Sequence, residues 1–331
     1  MGTRFLILFL ITMGLGIICG CGNREPTTTQ PVQPEQSVSA ASLPDHEEGP
    51  EGTFSQQPDK KAPQVDKVAD VNDSPQDQGA KAVSFNENLA DFFSCYINSD
   101  GMVNYKKLRP KRLELIQVLR EFDQLAPKEY DSWPKTEKIA FWINAYNLCT
   151  IKVIIDNYPI QASRYMILFY PANSIRQISK PWTKYDFSIM QVKYTLREID
   201  RRILSRQFDE PRVCFALSYA SLDGPRLRNE PYTGRKLEQQ LDEQVRSFID
   251  NKRGFNIDTE KGEVYLSAIF KWYANILARR FGTDRKFTDK KPEIRTALNF
   301  ISNYVSRAKV DFLERKAYSV EYIKFDWTLN E

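Results

Sequence analysis

The stretch "VCFALSYASLDGP", Val213 to Pro225, carries a thiol, Cys214, and two hydroxyls, Ser218 and Ser221, where an apolar run passes into a tight turn. An enzyme often keeps its nucleophile at such a strand end. A thiol there needs a nearby cation or base to lower its pKa, and a serine needs a general base. The chain's single histidine, His46, lies far upstream in a polar segment. Cys–His and Ser–His–Asp chemistry within the folded part is therefore excluded by composition. Neither serine is followed by a lysine three residues on, so the Ser-x-x-Lys arrangement is missing at this stretch. With apolar neighbours, Cys214 reads as a small buried hydrophobe. Ser221, before "LDGP", reads as a residue that shapes the turn.

A second polar set lies in "EKIAFWINAYNLCTI", Glu137 to Ile151. Spacings of seven and three residues bring Glu137, Asn144 and Asn147 roughly onto one side of a helix. Polar groups inside an apolar helix need partners. One reading is a ligand pocket with Glu137 as general base or charge partner and Trp142 and Tyr146 as core or wall. The other is a structural network that ties the helix to "RNEPY", through Arg228, Asn229 and Glu230. No metal is expected, because the folded part has no histidine, no paired cysteines and no close carboxylate cluster. No cofactor is expected either, since no Gly-rich phosphate loop is present. "NSDGMVNY" has one carboxylate, Asp100, and no closing Glu, so it reads as a turn rather than a calcium loop.

The elements that must hold these residues follow from periodicity. "NLADFFSCYI" puts Leu89, Phe92, Phe93, Tyr96 and Ile97 at helical spacing, and Leu113–Leu125 repeats the pattern. The helix carrying Glu137, Asn144 and Asn147 is expected to be capped by Asp131 or Ser132, to have Pro134 in its first turn and to end by Pro159. It is apolar around nearly its whole circumference, so it should be central and buried. "YDFSIMQVKYTL" reads as a hairpin, and Thr195 with Glu198 as a capping box for a helix through Ile203. "VCFALSYA" reads as a buried strand. "YTGRKLEQQLDEQVRSFID" is an amphipathic helix with Leu237, Leu241, Val245 and Phe248 inward. A hairpin turning at Lys261–Gly262, helices over Ala268–Phe281 and Glu293–Ala308, and a closing strand in "VEYIKFDWTLN" complete the chain. The expected fold is α+β, one helix-rich domain over residues 85–331 on a small, mostly antiparallel sheet. Cys95, Cys149 and Cys214 are an odd number in mostly apolar settings and read as buried thiols.

Upstream, "MGTRFLILFLITMGLGIICGC" has one charge, Arg4, and then an apolar run to Cys19. That run of about 15 residues is short of the roughly 20 needed to span a bilayer, and it matches an export signal. "ICGC" resembles the bacterial lipobox. By that resemblance residues 1–20 are a lipoprotein signal peptide and Cys21 is the lipidated N-terminus, anchored through several acyl chains. Gly22 and Asn23 follow rather than Asp, which in such lipoproteins goes with outer-membrane sorting, facing the periplasm in a Gram-negative cell.

Residues 22–82 hold 11 Asp/Glu and 5 Lys/Arg. Taking these and Arg4 from the chain totals of 43 acidic and 47 basic residues leaves 32 and 41 for residues 83–331, a net of +9. Few apolar and many polar residues over 21–84 read as a disordered tether, with an r.m.s. reach of roughly 45 Å as a flexible coil. A basic domain on an acidic tether suits anionic surfaces such as lipid head groups or cell-wall polymers, or is simply well solvated. Without a basic run interleaved with aromatics, nucleic acid is not an expected partner.

Five segments together resemble a known family, the domain of unknown function 547. They are "EKIAFWINAYNLCTI", "ALSYAS", "GPRLRNEPYTGRKLEQQLDEQ", "LSAIFKWY" and "FDWTLN", in order from Glu137 to Asn330. The resemblance brings no settled activity. The family pattern over the opening stretch usually reads His-Phe-Ala-Leu, one residue, Cys-Ala-Ser, two residues, Cys-Pro-Pro, which implies thiol chemistry in members that keep it. Here Cys214 stands at the histidine, Tyr219 at the first cysteine, Gly224 at the second and Arg226 at the second proline. The motif is degenerate at each reactive position. The expected function is a non-catalytic binding or scaffolding module in the cell envelope, tethered to the membrane through Cys21, with an envelope ligand, peptide or polymer as partner. The alternatives are a hydrolase or transferase using Glu137 with Asn144 and Asn147, and a purely structural envelope protein.

Overall fold

The computed structural model describes residues 87–315 and 317–331. The expected signal peptide, Cys21 and the tether lie outside these residues. The described part is α+β and helix-rich, with two small sheets rather than one.

The first helix, α1, covers residues 87–96 and buries Leu89, Phe92, Phe93 and Tyr96 on one face. The chain then turns through Asp100–Gly101, and Ile97 bridges back to Val103. Gly101 has φ +76°, and a Cβ there would stand 2.8 Å from the Leu227 carbonyl oxygen, so the turn needs glycine for both reasons. Two helices follow, α2 (Tyr105–Leu108) and α3 (Arg112–Gln124); α3 buries Leu115, Val118 and Phe122. The short α4 (Pro127–Ser132) absorbs Asp131 and Ser132, which were expected to cap the next helix. Pro134 takes the N-cap position instead, without a side-chain hydrogen bond, and α5 runs Lys135–Asp156.

Helix α5 is the axis of the domain. Residues Ile139–Ile151 are buried without interruption, so over more than three turns it has no solvent face. It is long and apolar enough to cross a bilayer, yet 89% of its most apolar window is buried inside the domain. It is therefore a core helix.

The hairpin β1 (Phe187–Ile189) and β2 (Val192–Tyr194) turns at Met190 and Gln191, both at positive φ. Two-residue turns of this hand usually use glycine. Here Asp123 holds the turn: its Oδ1 accepts from the Gln191 N–H at 3.1 Å, and its carbonyl oxygen accepts from Gln191 Nε2 at 2.9 Å. The capping box forms, with Glu198 Oε2 accepting from the Thr195 N–H at 2.8 Å and Thr195 Oγ1 from the Glu198 N–H at 3.2 Å. The helix it starts is π-helical over Glu198–Gln207, four residues beyond the expected end at Ile203.

The expected strand "VCFALSYA" is not one. Residues Pro211–Phe215 form a 3₁₀ turn, and the chain continues irregularly but fully buried to Ser221. Burial without a ladder is possible because its polar backbone groups are satisfied locally and by Asn147, as described below.

Helix α6 (Leu237–Asp250) buries the expected Leu237, Leu241, Val245 and Phe248. Strands β3 (Phe255–Asp258) and β4 (Glu263–Ser267) are antiparallel, with Gly262 at φ +66° in their turn. The expected Ala268–Phe281 helix is broken at Tyr273 into α7 (Ala268–Trp272) and α8 (Ala274–Phe281). The expected Glu293–Ala308 helix ends early. Helix α9 (Pro292–Ile301) is closed off where Asn303 Nδ2 donates back to the Asn299 and Phe300 carbonyls, and α10 (Arg307–Glu314) starts anew.

The final strand β5 (Ser319–Ile323) pairs with β4 in parallel, and residues 324–331 leave the sheet. That tail crosses the earlier turns instead. The Leu222 N–H donates to the Thr328 carbonyl at 2.8 Å and the Val103 N–H to that of Asn330 at 2.8 Å. Cys149 and Cys214 are buried free thiols, whereas Cys95, also free, is exposed on α1 and corrects the expectation for that residue.

Candidate functional site

Three polar side chains of α5 each hold a piece of loop backbone. Asn144 Nδ2 donates to the Tyr232 carbonyl at 2.8 Å, and its Oδ1 accepts from the Tyr232 N–H at 2.9 Å. Asn147 does the same one turn on: Nδ2 to the Ala216 carbonyl at 3.0 Å, Oδ1 from the Ser218 N–H at 2.8 Å. Glu137 Oε2 accepts from the Gly234 N–H at 2.7 Å. A Cβ on Gly234 would lie 2.3 Å from that oxygen and 2.7 Å from the Glu137 nitrogen. The loop can sit this close only because residue 234 has no side chain. An asparagine amide matches a peptide unit with one donor and one acceptor, so each clasp satisfies two backbone groups that would otherwise be stranded in the core.

Of the "RNEPY" residues, Tyr232 meets α5 through its backbone. Arg228 turns away to Glu230 at 2.5 Å and Glu243 at 3.0 Å, and Glu230 also accepts from Gln240 Nε2 at 3.1 Å. Burial raises the Glu230 carboxyl, but the hydrogen bonds from Arg228 and Gln240 outweigh it and hold the group below its ordinary value. Asn229 is exposed. The expected direct pairing of Arg228, Asn229 and Glu230 with Glu137, Asn144 and Asn147 is therefore corrected. The network exists, but it runs through backbone, because two amides on a buried helix reach the peptide groups beside them before any side chain.

The clasped segment 216–218 is flanked by Cys214, Tyr219 and Gly224. Cys214 is buried, and its Sγ donates to the Pro211 carbonyl at 3.1 Å. Burial, with the Asp200 charge adding to it, pushes the thiol well above its ordinary value. Tyr219 is buried and its hydroxyl donates to Tyr273 Oη at 2.6 Å; Tyr273 donates to Asp200 Oδ2 at 2.7 Å. Asp200 is 1% exposed and also meets Arg201 Nε at 3.2 Å and Ser205 Oγ at 3.3 Å. Burial first, then the Asp200 charge, raises both phenols far above their ordinary value. Gly224 packs against Ser221, whose Oγ would be 2.9 Å from a Cβ at 224. Beside it Asp223 accepts from Arg253 Nε at 2.8 Å and from the Asp326 N–H at 2.7 Å. The cavity at this turn, lined by Asp223, Gly224, Arg226 and Gln244 among others, has about 10 Å³, room for one water. The stretch is thus packed shut.

The open apolar cavity lies one ring away. Tyr219 meets Trp272 edge-on at 5.9 Å. Trp272 stacks on Trp327 at 5.6 Å and 25°, and Phe325 closes against both at 4.9 and 4.6 Å. These rings form one side of a cavity of about 270 Å³ whose other walls include Phe169, Tyr322, Lys271 and Lys324. None of these lining residues was a candidate from the sequence. The signal was in "LSAIFKWY" and "FDWTLN", which carry Trp272, Phe325 and Trp327, but aromatic residues near a chain end read equally well as core. Among the described residues no group of three or more His, Cys, Asp or Glu side chains is placed to hold a metal.

No curated protein and no solved structure matches the chain significantly. Residues 130–249 match the family model described as Protein of unknown function, DUF547. The match takes in α5, both asparagine clasps and the Cys214–Gly224 stretch, and it is a likeness of these residues to that domain.

Proposed function

We propose that this protein is a membrane-tethered envelope lipoprotein whose DUF547 domain is a non-catalytic binding module. The observation that carries the reading is the state of the family's reactive positions. Cys214 is a buried thiol with its pKa pushed up, and Tyr219 is spent on Tyr273. A nucleophile needs a thiolate and access, and Cys214 has neither. The hydrolase or transferase alternative is weakened by the same geometry, since Glu137, Asn144 and Asn147 are engaged with backbone. Tethering rests on the apolar leader and on Cys21 within "ICGC". The module then acts near the membrane on an envelope ligand, peptide or polymer, held on the outer membrane facing the periplasm where the cell has one.

Two measurements test this. Cys21→Ser should abolish acylation and release the protein from membrane fractions; retention in a detergent-sensitive form would refute the anchor. A thiol reagent should label Cys214 in the native domain only as fast as the domain unfolds, and Cys214→Ala should cost about 1 kcal/mol, as a small core truncation does. Rapid, saturable labelling of Cys214 under native conditions, followed in a Cys95→Ser background because Cys95 is an exposed thiol, would overturn the non-catalytic reading.

A further inference from the structure

We propose that the loop at residues 165–168 is a membrane contact that seats Tyr165, Ile167 and Leu168 in the head-group region of an anionic bilayer. This rests on the tethered reading, because a contact of this size acts only on a chain already held at the membrane.

Residues 165–170, "YMILFY", are six apolar residues in a row, and the core takes only some of them. Met166–Leu168 form one 3₁₀ turn, which puts Met166 and Phe169 on the same side, packed against the core. Tyr165, Ile167 and Leu168 face out and are 57%, 47% and 73% exposed. Their exposure is fixed by the fold. The buried Gln177 ties both ends of the loop: its Oε1 accepts from the Ser163 N–H at 2.9 Å, and its Nε2 donates to the Tyr170 and Pro171 carbonyls at 3.1 and 3.0 Å. The Tyr165 ring meets Phe169 edge-on at 5.4 Å. Large apolar side chains held outward together mark a protein or a membrane contact.

Charge selects the membrane. Residues 157–185 contain four cations and no Asp or Glu. Arg176 is engaged with Tyr170 and the rings around it, whereas Arg164, Lys180 and Lys184 are exposed. Lys324, also exposed, lines the aromatic cavity together with Leu168. Other elements bring three carboxylates toward this region: Glu331, which accepts from Tyr158, Glu293, whose charge reaches Tyr322, and Glu321 on β5. None of them belongs to the loop or lines the cavity beside it, and residues 83–331 as a whole carry the net +9 derived above. Tyrosine beside an aliphatic tip, with cations around it, suits the boundary between anionic head groups and acyl chains. An anionic polymer would answer the cations and leave the apolar tip in water. Three side chains give reversible binding, well short of stable anchoring. Added to a tether that keeps the local concentration high, they orient the domain; an untethered chain would still leave the membrane on fractionation.

The test is depth-dependent quenching on the full chain, purified from membranes and reconstituted into vesicles of phosphatidylglycerol and phosphatidylcholine. In a Cys95→Ser background, Tyr165→Cys carries a nitrobenzoxadiazole label on the new thiol. The control is Lys261→Cys, in the β3–β4 turn, at the opposite end of β4 from Ser267, whose partner Ile323 lines the cavity. The label at 165 should shift to the blue and be quenched several-fold more than the control by lipids that carry a doxyl group near the head group. Vesicles of phosphatidylcholine alone, or high salt, should weaken that quenching several-fold. Adding the exposed pair Ile167→Asp/Leu168→Asp should abolish it and leave thermal unfolding unchanged. Equal quenching at both label positions, equal quenching with and without phosphatidylglycerol, or quenching that survives the aspartate pair would each overturn the inference. A blue shift already present without lipid would also overturn it, since the loop would then be covered by a second copy of the chain. Failure here would leave the other readings standing, because Cys214 labelling and Cys21→Ser fractionation do not involve this loop.

Discussion

The Tyr219 hydroxyl donates to the Tyr273 hydroxyl across 2.6 Å, and Tyr273 passes its own proton toward Asp200 at 2.7 Å. Tyr219 is thus the outer member of a buried donor chain. The chain joins the 216–221 segment to the α7–α8 junction and to the π-helical segment. The chain is stabilising only while each member keeps its partner.

Tyr219→Phe removes the terminal donor and leaves Tyr273 still serving Asp200, so it should cost about 1 kcal/mol. Tyr273→Phe strips a donor from a buried carboxylate and should cost more, about 2–3 kcal/mol. Urea denaturation of both variants and of the double variant measures the coupling. Equal costs for the two singles would mean that Asp200 is not the anchor of the chain.

Stability should fall in alkali. Cys214, Tyr219 and Tyr273 have folded values raised above their ordinary 9.0, 10.0 and 10.0, chiefly by burial. Above those ordinary values the unfolded chain loses protons that the folded one keeps. The stability these groups contribute is therefore complete below about pH 9 and is lost as pH rises toward the folded values. The urea midpoint should drop between about pH 8 and about pH 10.5, and Tyr219→Phe with Cys214→Ala should lessen the drop. A midpoint flat over that interval would contradict the burial of these groups.

Asn147→Ala strands the Ala216 carbonyl and the Ser218 N–H in the core and should cost about 2–4 kcal/mol, each group carrying its own desolvation penalty. Asn144→Ala should cost a similar amount through Tyr232. Glu137→Gln keeps an acceptor for the Gly234 N–H and should cost under about 1 kcal/mol. Chemical denaturation orders the three. Should Glu137→Gln abolish a turnover while leaving stability intact, Glu137 would be a catalytic group.

Gly234→Ala should destabilise by about 1–3 kcal/mol, the range for overpacking. Because the new Cβ would meet the Glu137 nitrogen as well as its carboxylate, shortening the side chain with Glu137→Ala should not rescue it. Full rescue would show that the contact lies with the carboxylate alone.

Much of the fold was legible in the chain. The apolar circumference of α5 pointed to a central, buried helix, and the Thr195–Glu198 box and the Gly262 turn are signalled by local chemistry whose partners lie within a few residues. The expected strand at "VCFALSYA" does not form, for a reason the sequence hides. Burial is visible in a sequence, but the partner that satisfies buried backbone is not, and here that partner is Asn147, 69 residues from Ala216. The parallel pairing of β5 with β4 is likewise a long-range outcome that alternation does not encode.

The sequence by itself determined that the folded part has no histidine, so that Cys–His chemistry is closed to it, and that Glu137, Asn144 and Asn147 must find partners. Tertiary structure alone decided which partners. Amide geometry turned the asparagines onto loop backbone, burial raised the Cys214 thiol, and a chain end leaving the sheet after Ile323 brought Phe325 and Trp327 against Trp272. Side-chain chemistry is a property of each residue, whereas solvation, charge environment and the walls of a cavity come from segments distant in the chain and exist only once those segments meet.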